Sequence, residues 1–182
     1  MKKIYLLVLL FIAAPLFSQT YFKFNAPSTL LGIPQIGIET SLVKKITFQG
    51  DVLGSYWNSV NGAPFKTIMI FAEGRYHFRE KYNGLYLGGH IGGSKFTLQK
   101  WNYINKGLYQ KGYAMFFGFT VGYQFKLNDK WMVDMFMGGG NQQAAYKGYY
   151  LGTEERYDPA KDYNKSGEWL PYRAGIMFSY RL

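Results

Sequence analysis

The chain has 182 residues, a formal net charge of +10, 22 Gly and no Cys, and its aromatic residues are 17 Tyr, 15 Phe and 4 Trp. The length predicts one domain with a buried core, and the aromatic content excludes a disordered chain. The lack of Cys excludes a disulfide framework, a thiolate metal site and a Cys nucleophile. With only two His, at positions 77 and 90, we predict no metal or other cofactor, and the composition points away from most enzymes.

Residues 1–18 have the pattern of a secretory signal peptide. Two lysines precede an apolar run from Ile4 to Phe17, and the small residue Ser18 follows it. The alternative is a membrane-anchoring helix, which needs about 20 apolar residues; this run is shorter and Pro15 interrupts it. We therefore predict a cleaved signal peptide over 1–18 and one exported domain over 19–182.

The next feature is a strict alternation of side chains. From Gly112 to Phe125, large apolar residues alternate with small or polar ones, and the segment from Leu170 to Leu182 repeats the pattern. A period of two over this length predicts β-strands. The same alternation predicts eight strands along the chain, at 20–26, 34–42, 46–57, 65–78, 84–97, 110–126, 131–145 and 168–182.

The connections between these strands alternate in length. Short links at 43–45, 79–83 and 127–130 contrast with longer ones near 27–33, 58–64, 98–109 and 146–167. Short periplasmic turns, longer outer loops and an even strand number are typical of bacterial outer-membrane barrels. The sequence therefore predicts an all-β fold, an eight-stranded antiparallel up-and-down transmembrane β-barrel of a Gram-negative outer membrane, with both termini in the periplasm. A soluble β-sandwich with core aromatics is the alternative.

On the barrel interpretation the aromatic residues form two interfacial girdles. The outward positions near the long loops are Tyr56, Tyr113 and Tyr172. The outward positions near the short turns are Tyr76, Phe78, Tyr123, Phe125, Trp131 and Tyr180.

The opposite parity faces the lumen and carries the charged residues. We predict a lumen polar network of Glu39, Asp51, Glu73, Arg75, His77, His90, Asp134, Arg173 and Arg181, with Lys126 on the same parity. Glycines at inward positions, such as Gly88 and Gly122, leave room for long partners. An eight-stranded barrel has space only for side chains, so the network is interpreted as a salt-bridged plug. The alternative is a narrow proton or ion path through Glu73, Arg75, His77 and His90.

One pair of residues, His90 and Ser94, is a candidate for a catalytic site. Both lie on one strand, four residues and about 13 Å apart, which is too far for the hydrogen bond that activates a nucleophile. We predict no catalytic residues.

Two loops carry candidate partner surfaces. The segment 95–111 holds the basic residues Lys95, Lys100, Lys106 and Lys111 among aromatics and no acid. Such a pattern can indicate nucleic acid, but outside the cell lipopolysaccharide phosphates are the expected anions; a solvated charged loop is the third interpretation. The loop 146–167 is polar and Tyr-rich, and it is a candidate surface for a protein partner. We predict contacts with outer-membrane lipid and lipopolysaccharide, and none with nucleic acid.

The C-terminal strand ends on Phe178, Tyr180 and Leu182, on one face. This ending resembles the signal by which the barrel-assembly machinery recognises outer-membrane barrels, with Leu in place of the usual aromatic residue.

The segments Ile70–Phe78 and Tyr82–His90 resemble a small outer-membrane β-barrel family of unknown function that is frequent in Bacteroidota, and Ile36–Glu39 and Lys130–Asp134 resemble two further segments of it. The resemblance covers about residues 21–182. It implies a porin-like or structural barrel without catalytic residues, and it implies that Glu39, Glu73, Arg75, His90 and Asp134 form the lumen network.

The predicted function is that of a non-enzymatic outer-membrane barrel, a structural or accessory subunit that presents its loops to a partner or to lipopolysaccharide. The alternatives are a narrow porin-like channel and a lipid-A-modifying enzyme.

Overall fold

The computed structural model describes residues 19–59, 62–157 and 162–182. The predicted signal peptide lies outside these residues and stays a prediction. The strands are β1 (Thr20–Asn25), β2 (Gln35–Val43), β3 (Ile46–Asn58), β4 (Pro64–His77), β5 (Gly84–Leu98), β6 (Leu108–Lys126), β7 (Trp131–Tyr150) and β8 (Asn164–Arg181). A short helix, α1 (Ala26–Leu30), follows β1, and a 3-10 helix (Trp101–Lys106) lies between β5 and β6.

The eight strands form a closed barrel in chain order. Each strand pairs antiparallel with the next, and β8 pairs with β1. This confirms the predicted eight-stranded up-and-down β-barrel. The turns after β2, β4 and β6 lie at the end where the described chain begins and finishes, which we call the short-turn end. The opposite end is the loop end.

Alternation along each strand divides the barrel into two walls. On β6, Met115 is 71% exposed and Phe119 is 66% exposed, whereas Phe116 between them is 4% exposed. The exposed residues lie on the outer wall and the buried ones on the inner wall, because successive side chains of a strand point to opposite faces. The outer wall is therefore apolar and the inner wall holds most of the charge.

Strands β7 and β8 are longer than the sequence predicts. β7 continues to Tyr150 and β8 begins at Asn164, so the connection between them spans 151–163 and the predicted bounds of 146–167 are wrong. The polar and Tyr-rich composition of this segment resembles a loop, but its residues pair across the strands, as Tyr146 does with Asn164.

A β-bulge in β8 changes which residues face the interior. Gly138 pairs with Arg173 while Gly139 pairs with Pro171, so Tyr172 is an extra residue between two pairs. Its ring lies inside the barrel, 4.9 Å from the ring of Phe116 between centroids. The prediction that Tyr172 belongs to an outer girdle is wrong, because a bulge shifts the alternation by one residue. The other predicted girdle residues lie on the outer wall, exposed or half-buried.

The barrel wall has a seam at the loop end. Pairing between β1 and β8 joins Tyr21–Asn25 to Met177–Arg181 only, because β1 is short. Beyond it, within the described ranges, the edge of β8 has no strand beside it, and α1 packs there instead. Residues 167–171 are exposed on both faces of β8. Among the described residues, no helix has the length and apolar content needed to cross a membrane.

Candidate functional site: a charge network inside the barrel

Four buried side chains form a ring of alternating charge near the short-turn end. Lys23 Nζ lies 2.7 Å from Glu39 Oε2 and 2.5 Å from Asp134 Oδ2. The Arg75 guanidinium contacts the same two oxygens, at 3.0 Å and 2.8 Å. These side chains come from β1, β2, β4 and β7, so the ring joins strands on opposite sides of the barrel.

A second group of ion pairs extends the ring toward the loop end. Arg75 Nε donates to Glu73 Oε1 at 2.8 Å, and Arg173 Nη1 donates to Glu73 Oε2 at 2.7 Å. Arg173 Nη2 donates to Asp51 Oδ2 at 2.7 Å. The network thus contains three cations and four carboxylates, all buried. Charges can stay buried only when they are paired and hydrogen-bonded.

Neutral groups satisfy the remaining lone pairs of the carboxylates. Tyr86 Oη donates to Asp134 Oδ1 at 2.9 Å, and the guanidinium of Arg75 lies over the Tyr86 ring, 4.5 Å from its centroid. Gln124 Nε2 donates to Glu39 Oε2 at 2.8 Å. Gln49 Oε1 accepts a hydrogen bond from Lys23 Nζ at 2.7 Å. The polar side chains around the charges therefore make the buried network tolerable.

The two histidines lie at the edges of the network. His77 Nε2 hydrogen-bonds with Thr47 Oγ1 at 2.9 Å and lies 3.8 Å from Glu39. His90 Nδ1 hydrogen-bonds with Thr120 Oγ1 at 3.0 Å, and its Nε2 hydrogen-bonds with Tyr172 Oη at 2.7 Å. Both ring nitrogens of His90 are thus occupied by partners other than the candidate nucleophile Ser94.

Inward glycines make the network possible. A methyl group at Gly88 would overlap the carboxylate of Glu73, and one at Gly122 would overlap the ring of Tyr86. The long side chains of the neighbouring strands lie across these glycines, as the alternation predicts.

The structure brings together most of the predicted lumen residues. The ion pairs join Glu39, Asp51, Glu73, Arg75, Asp134 and Arg173, with His77 and His90 beside them. The prediction is wrong for Arg181, and for Lys126, because each is the last residue of its strand and is exposed at the short-turn end.

Sequence reasoning missed Lys23, which is central to the ring. Phe22 and Phe24 alternate with it on β1, and this parity alone places Lys23 inside. The strand is only six residues long, so its alternation is a weak signal. Gln35, which donates to Asp51 Oδ1 at 2.7 Å, was missed in the same way.

The four lysines predicted as a basic loop do not lie together on a loop. Lys95 and Lys111 belong to β5 and β6 and face outward, whereas Lys100 and Lys106 lie between the strands. The outward lysines continue around the wall. Five adjacent strands each carry one near the loop end: Lys66, Lys95, Lys111, Lys147 and Lys165. We call these five residues the lysine band.

The C-terminal residues pack on the outer wall. The ring of Phe178 stacks on Phe24 with centroids 5.7 Å apart, and Tyr180 lies 5.1 Å from Trp131. Leu182 is exposed beyond the end of β8. Their role as an assembly signal stays a prediction.

Beyond the charge network, the loop-end half of the interior holds a cavity of about 570 Å³. Phe96, Phe116, Leu170 and Tyr172 line it together with Ser94. We call it the mouth cavity. Within the described ranges, no three His, Cys, Asp or Glu residues are grouped to hold a metal ion.

Comparison with known proteins gives one family. The family model described as "Protein of unknown function (DUF3575)" matches residues 3–182. No curated protein matches the chain. The description of the family assigns no activity, so a function has to be inferred from the barrel.

Proposed function

We propose that the chain, which belongs to the DUF3575 family of proteins of unknown function, is an integral outer-membrane β-barrel with a closed interior. It acts without enzymatic activity, as a structural or accessory subunit, and it presents its loop end to lipopolysaccharide and to a protein partner.

The observation that carries this proposal is the reversed polarity of the barrel. Large apolar side chains such as Ile91, Phe119 and Met137 are more than 60% exposed on the outer wall, whereas Glu39, Glu73 and their cationic partners are buried inside. In water, so large an exposed apolar surface is unfavourable and favours aggregation. In lipid it is the favourable arrangement, since an apolar band on the outside and polar residues inside are typical of membrane barrels.

The lysine band supports contact with anionic lipid. Its residues lie on outward positions nearer the loop end than the exposed aliphatic residues of the same strands. Lys111 pairs directly with Lys147 in the β6–β7 register. Among the described residues none of the five forms an ion pair, and the carboxylates of the described strands all lie on inward positions. Two of these cations lie over aromatic rings, Lys95 over Tyr113 and Lys147 over Tyr163, but none has a carboxylate partner among the described residues. A band of such cations beside an apolar wall fits the phosphates of lipopolysaccharide.

The charge network supports a closed interior. Arg75, Glu73 and Asp134 join opposite walls of the barrel through direct contacts of 3.0 Å or less, and they leave no exposed side-chain surface between them. An ion crossing the barrel has to break several buried ion pairs, each of which is costly to disrupt. A non-conducting barrel is therefore favoured over a channel.

Three measurements test the membrane proposal. Expressed with its N-terminal segment in a Gram-negative host, the protein is expected in the outer-membrane fraction, to migrate differently on gels before and after boiling, and to give a flat current trace in planar bilayers. Recovery of the folded chain in the soluble fraction would overturn the membrane assignment. A stable unitary conductance would overturn the closed interior instead and favour the narrow channel.

The lysine band has its own test. Purified in mild detergent, the wild-type protein is expected to retain lipid A, detected by mass spectrometry. The double variant Lys111→Gln with Lys147→Gln is expected to retain about tenfold less. The matched control is Lys44→Gln with Lys130→Gln, which removes two exposed charges at the short-turn end and leaves the retained lipid A unchanged. Equal retention by both double variants would contradict binding at the band.

A protein partner is tested by shortening the loop between β7 and β8. Affinity purification in mild detergent is expected to recover a partner that is lost when 151–163 is replaced by a short turn. Persistence of the partner would place the contact elsewhere on the loop end.

A further inference from the structure

The mouth cavity is large and mostly apolar for the interior of so small a barrel. Its volume of about 570 Å³ lies within the roughly 300–1,000 Å³ of ligand-binding pockets. Phe65, Met69 and Leu98 line it from β4 and β5, and Phe116 lines it from β6. Below it, the rings of Phe71 and Tyr172 stack at 6.1 Å between centroids and separate it from the charge network.

The cavity is continuous with the seam in the wall. Ser166, Glu168 and Leu170 line the cavity from β8, on the stretch of β8 that has no strand beside it on the β1 side within the described ranges. Glu168 and Leu170 face the cavity and are nevertheless exposed. An apolar cavity that opens through the side of a membrane barrel is accessible to a chain from the surrounding lipid.

Two hydrogen-bond acceptors on the cavity wall, on Gln110 and Glu168, have no side-chain partner among the described residues. Gln110 is fully buried, and its Oε1 has no hydrogen-bond partner among the described residues. The carboxylate of Glu168 has no ion-pair partner within the same ranges. The ammonium of Lys100 makes a cation–π contact, 5.1 Å from the centroid of the Tyr146 ring. Gln110 has no accessible surface, whereas Glu168 is exposed. The carboxylate of Glu168 therefore favours a ligand whose head group donates a hydrogen bond.

We propose that the mouth cavity binds a single-chain amphiphile whose head group donates a hydrogen bond. The alkyl chain lies along the wall formed by Phe96, Phe116 and Leu170, and a hydroxyl, amide or ammonium head donates to the carboxylate of Glu168. The chain enters through the seam beside β8. This proposal rests on the proposed membrane location, because the surrounding lipid supplies the ligand.

The test is photo-crosslinking of the full barrel in lipid nanodiscs with dodecanol that carries a diazirine near the chain end. Labels located by mass spectrometry are expected on Phe96, Phe116 and Leu170. Ala144→Trp, which fills the cavity from β7, is expected to lower this labelling by about tenfold. Ala145→Trp is the matched control, because Ala145 is the next residue on the same strand and faces outward; it leaves the labelling unchanged.

The head group is tested by a second comparison. The matched diazirine-bearing fatty acid, whose ionised head accepts but does not donate, is expected to label the cavity less than the alcohol does. Glu168→Gln is expected to remove that difference, because it removes the carboxylate charge that repels an ionised head and leaves an amide that can both donate and accept. Equal labelling by the two probes in the wild-type protein would overturn the assignment of a donor head.

Labels confined to outer-wall residues such as Met115 and Phe117 would contradict binding in the mouth cavity. Labelling that Ala144→Trp does not reduce would contradict it as well. Heat-dependent gel migration verifies the fold of each variant. If Ala144→Trp does not fold, Ser94→Trp fills the cavity from β5, with Lys95→Trp as its outward control. A protein that fractionates as a membrane barrel but shows no cavity labelling contradicts this inference and leaves the proposed membrane function intact.

Discussion

At the scale of single residues, Lys23 is the group on which the charge ring depends most. Its ammonium bridges Glu39 and Asp134 and also donates to Gln49. The carboxylates Glu39 and Asp134 come close enough to repel each other unless a cation lies between them. The ring is therefore a set of mutually dependent charges, in which removal of one cation leaves buried charge uncompensated.

Lys23→Met is expected to lower the free energy of unfolding by about 3–5 kcal/mol, because it leaves a buried carboxylate short of its partner. The measurement is urea-induced unfolding in detergent micelles. Lys126→Met, at the exposed end of β6, is the control and is expected to change stability little. Equal unfolding midpoints for the two variants would show that the ring contributes nothing to stability.

Glycines on the two walls differ in what they tolerate. A methyl group at Gly88 overlaps the Glu73 carboxylate, whereas one at the adjacent Gly89 meets no atom within 4 Å. Gly88→Ala is expected to cost about 1–3 kcal/mol of stability, and Gly89→Ala is expected to be tolerated. The same unfolding experiment compares them, and a larger loss at Gly89 would mean that the two walls are assigned the wrong way round.

These residues show which features of the charge network can be predicted from the sequence. Alternation places Glu39, Glu73 and Arg75 on the inner wall correctly, because parity is a local property of a strand. It does not predict which cation meets which carboxylate, since Lys23 and Asp134 are 111 residues apart and their contact depends on the stagger of the whole barrel. The misplacement of Arg181 has the same origin, because parity does not show where the interior ends.

At the scale of secondary-structure elements, the bulge in β8 determines the boundary between the charge network and the mouth cavity. It turns Tyr172 inward, where its hydroxyl hydrogen-bonds with His90 and its ring closes the cavity floor. Periodicity predicts the strand correctly, but one extra residue reverses the parity of everything beyond it. The sequence carries only an indirect signal of the bulge, in the glycines Gly138 and Gly139 on the opposite strand.

Tyr172→Phe is expected to cost about 0.5–1.5 kcal/mol, because His90 loses a hydrogen-bond partner inside the barrel. Tyr113→Phe, on the outer wall of β6, is the control. Chemical unfolding of both variants in micelles measures the difference. A loss confined to Tyr113→Phe would place Tyr172 outside the barrel, as simple alternation predicts.

Tyr82, in the turn between β4 and β5, contacts the N-terminal end of β1. The Tyr82 hydroxyl donates to the carbonyl of Gln19 at 2.5 Å and its ring packs on Tyr21. Burial is the main cause that raises the pKa of Tyr82 above its ordinary value of 10.0. The folded state thus holds this proton more tightly than the unfolded state does. The resulting stabilisation is complete below pH 10 and declines as the pH rises above it.

The Tyr82→Phe variant is therefore expected to be less stable than the wild type, and the difference in the free energy of unfolding is expected to depend on pH. At pH 8 the wild type is more stable by about 1 kcal/mol because of the hydrogen bond, and near pH 11 this advantage shrinks. Unfolding midpoints of both proteins across this range measure it. A difference that does not vary with pH would contradict the burial of an ionisable Tyr82 hydroxyl.

At the scale of the whole molecule, the barrel separates an apolar outer wall, a charged core near the short-turn end and an apolar cavity near the loop end. The eight strands, their order and most of their bounds follow from the sequence, because period-two alternation and turn spacing are local signals. The division of the interior does not follow from them. It arises where side chains from opposite strands meet, and the mouth cavity with its seam exists because β1 is short while β8 is long.

The central claim is that the outer wall faces lipid, and spin labels along β6 test it most directly. In phospholipid vesicles, labels at Met115, Phe117, Phe119 and Val121 are expected to be accessible to oxygen and protected from a water-soluble nickel reagent. Labels at the loop end, at Lys106, are expected to show the opposite. Outward positions of β6 that are accessible to the water-soluble reagent would contradict the account, because the apolar wall would then face water.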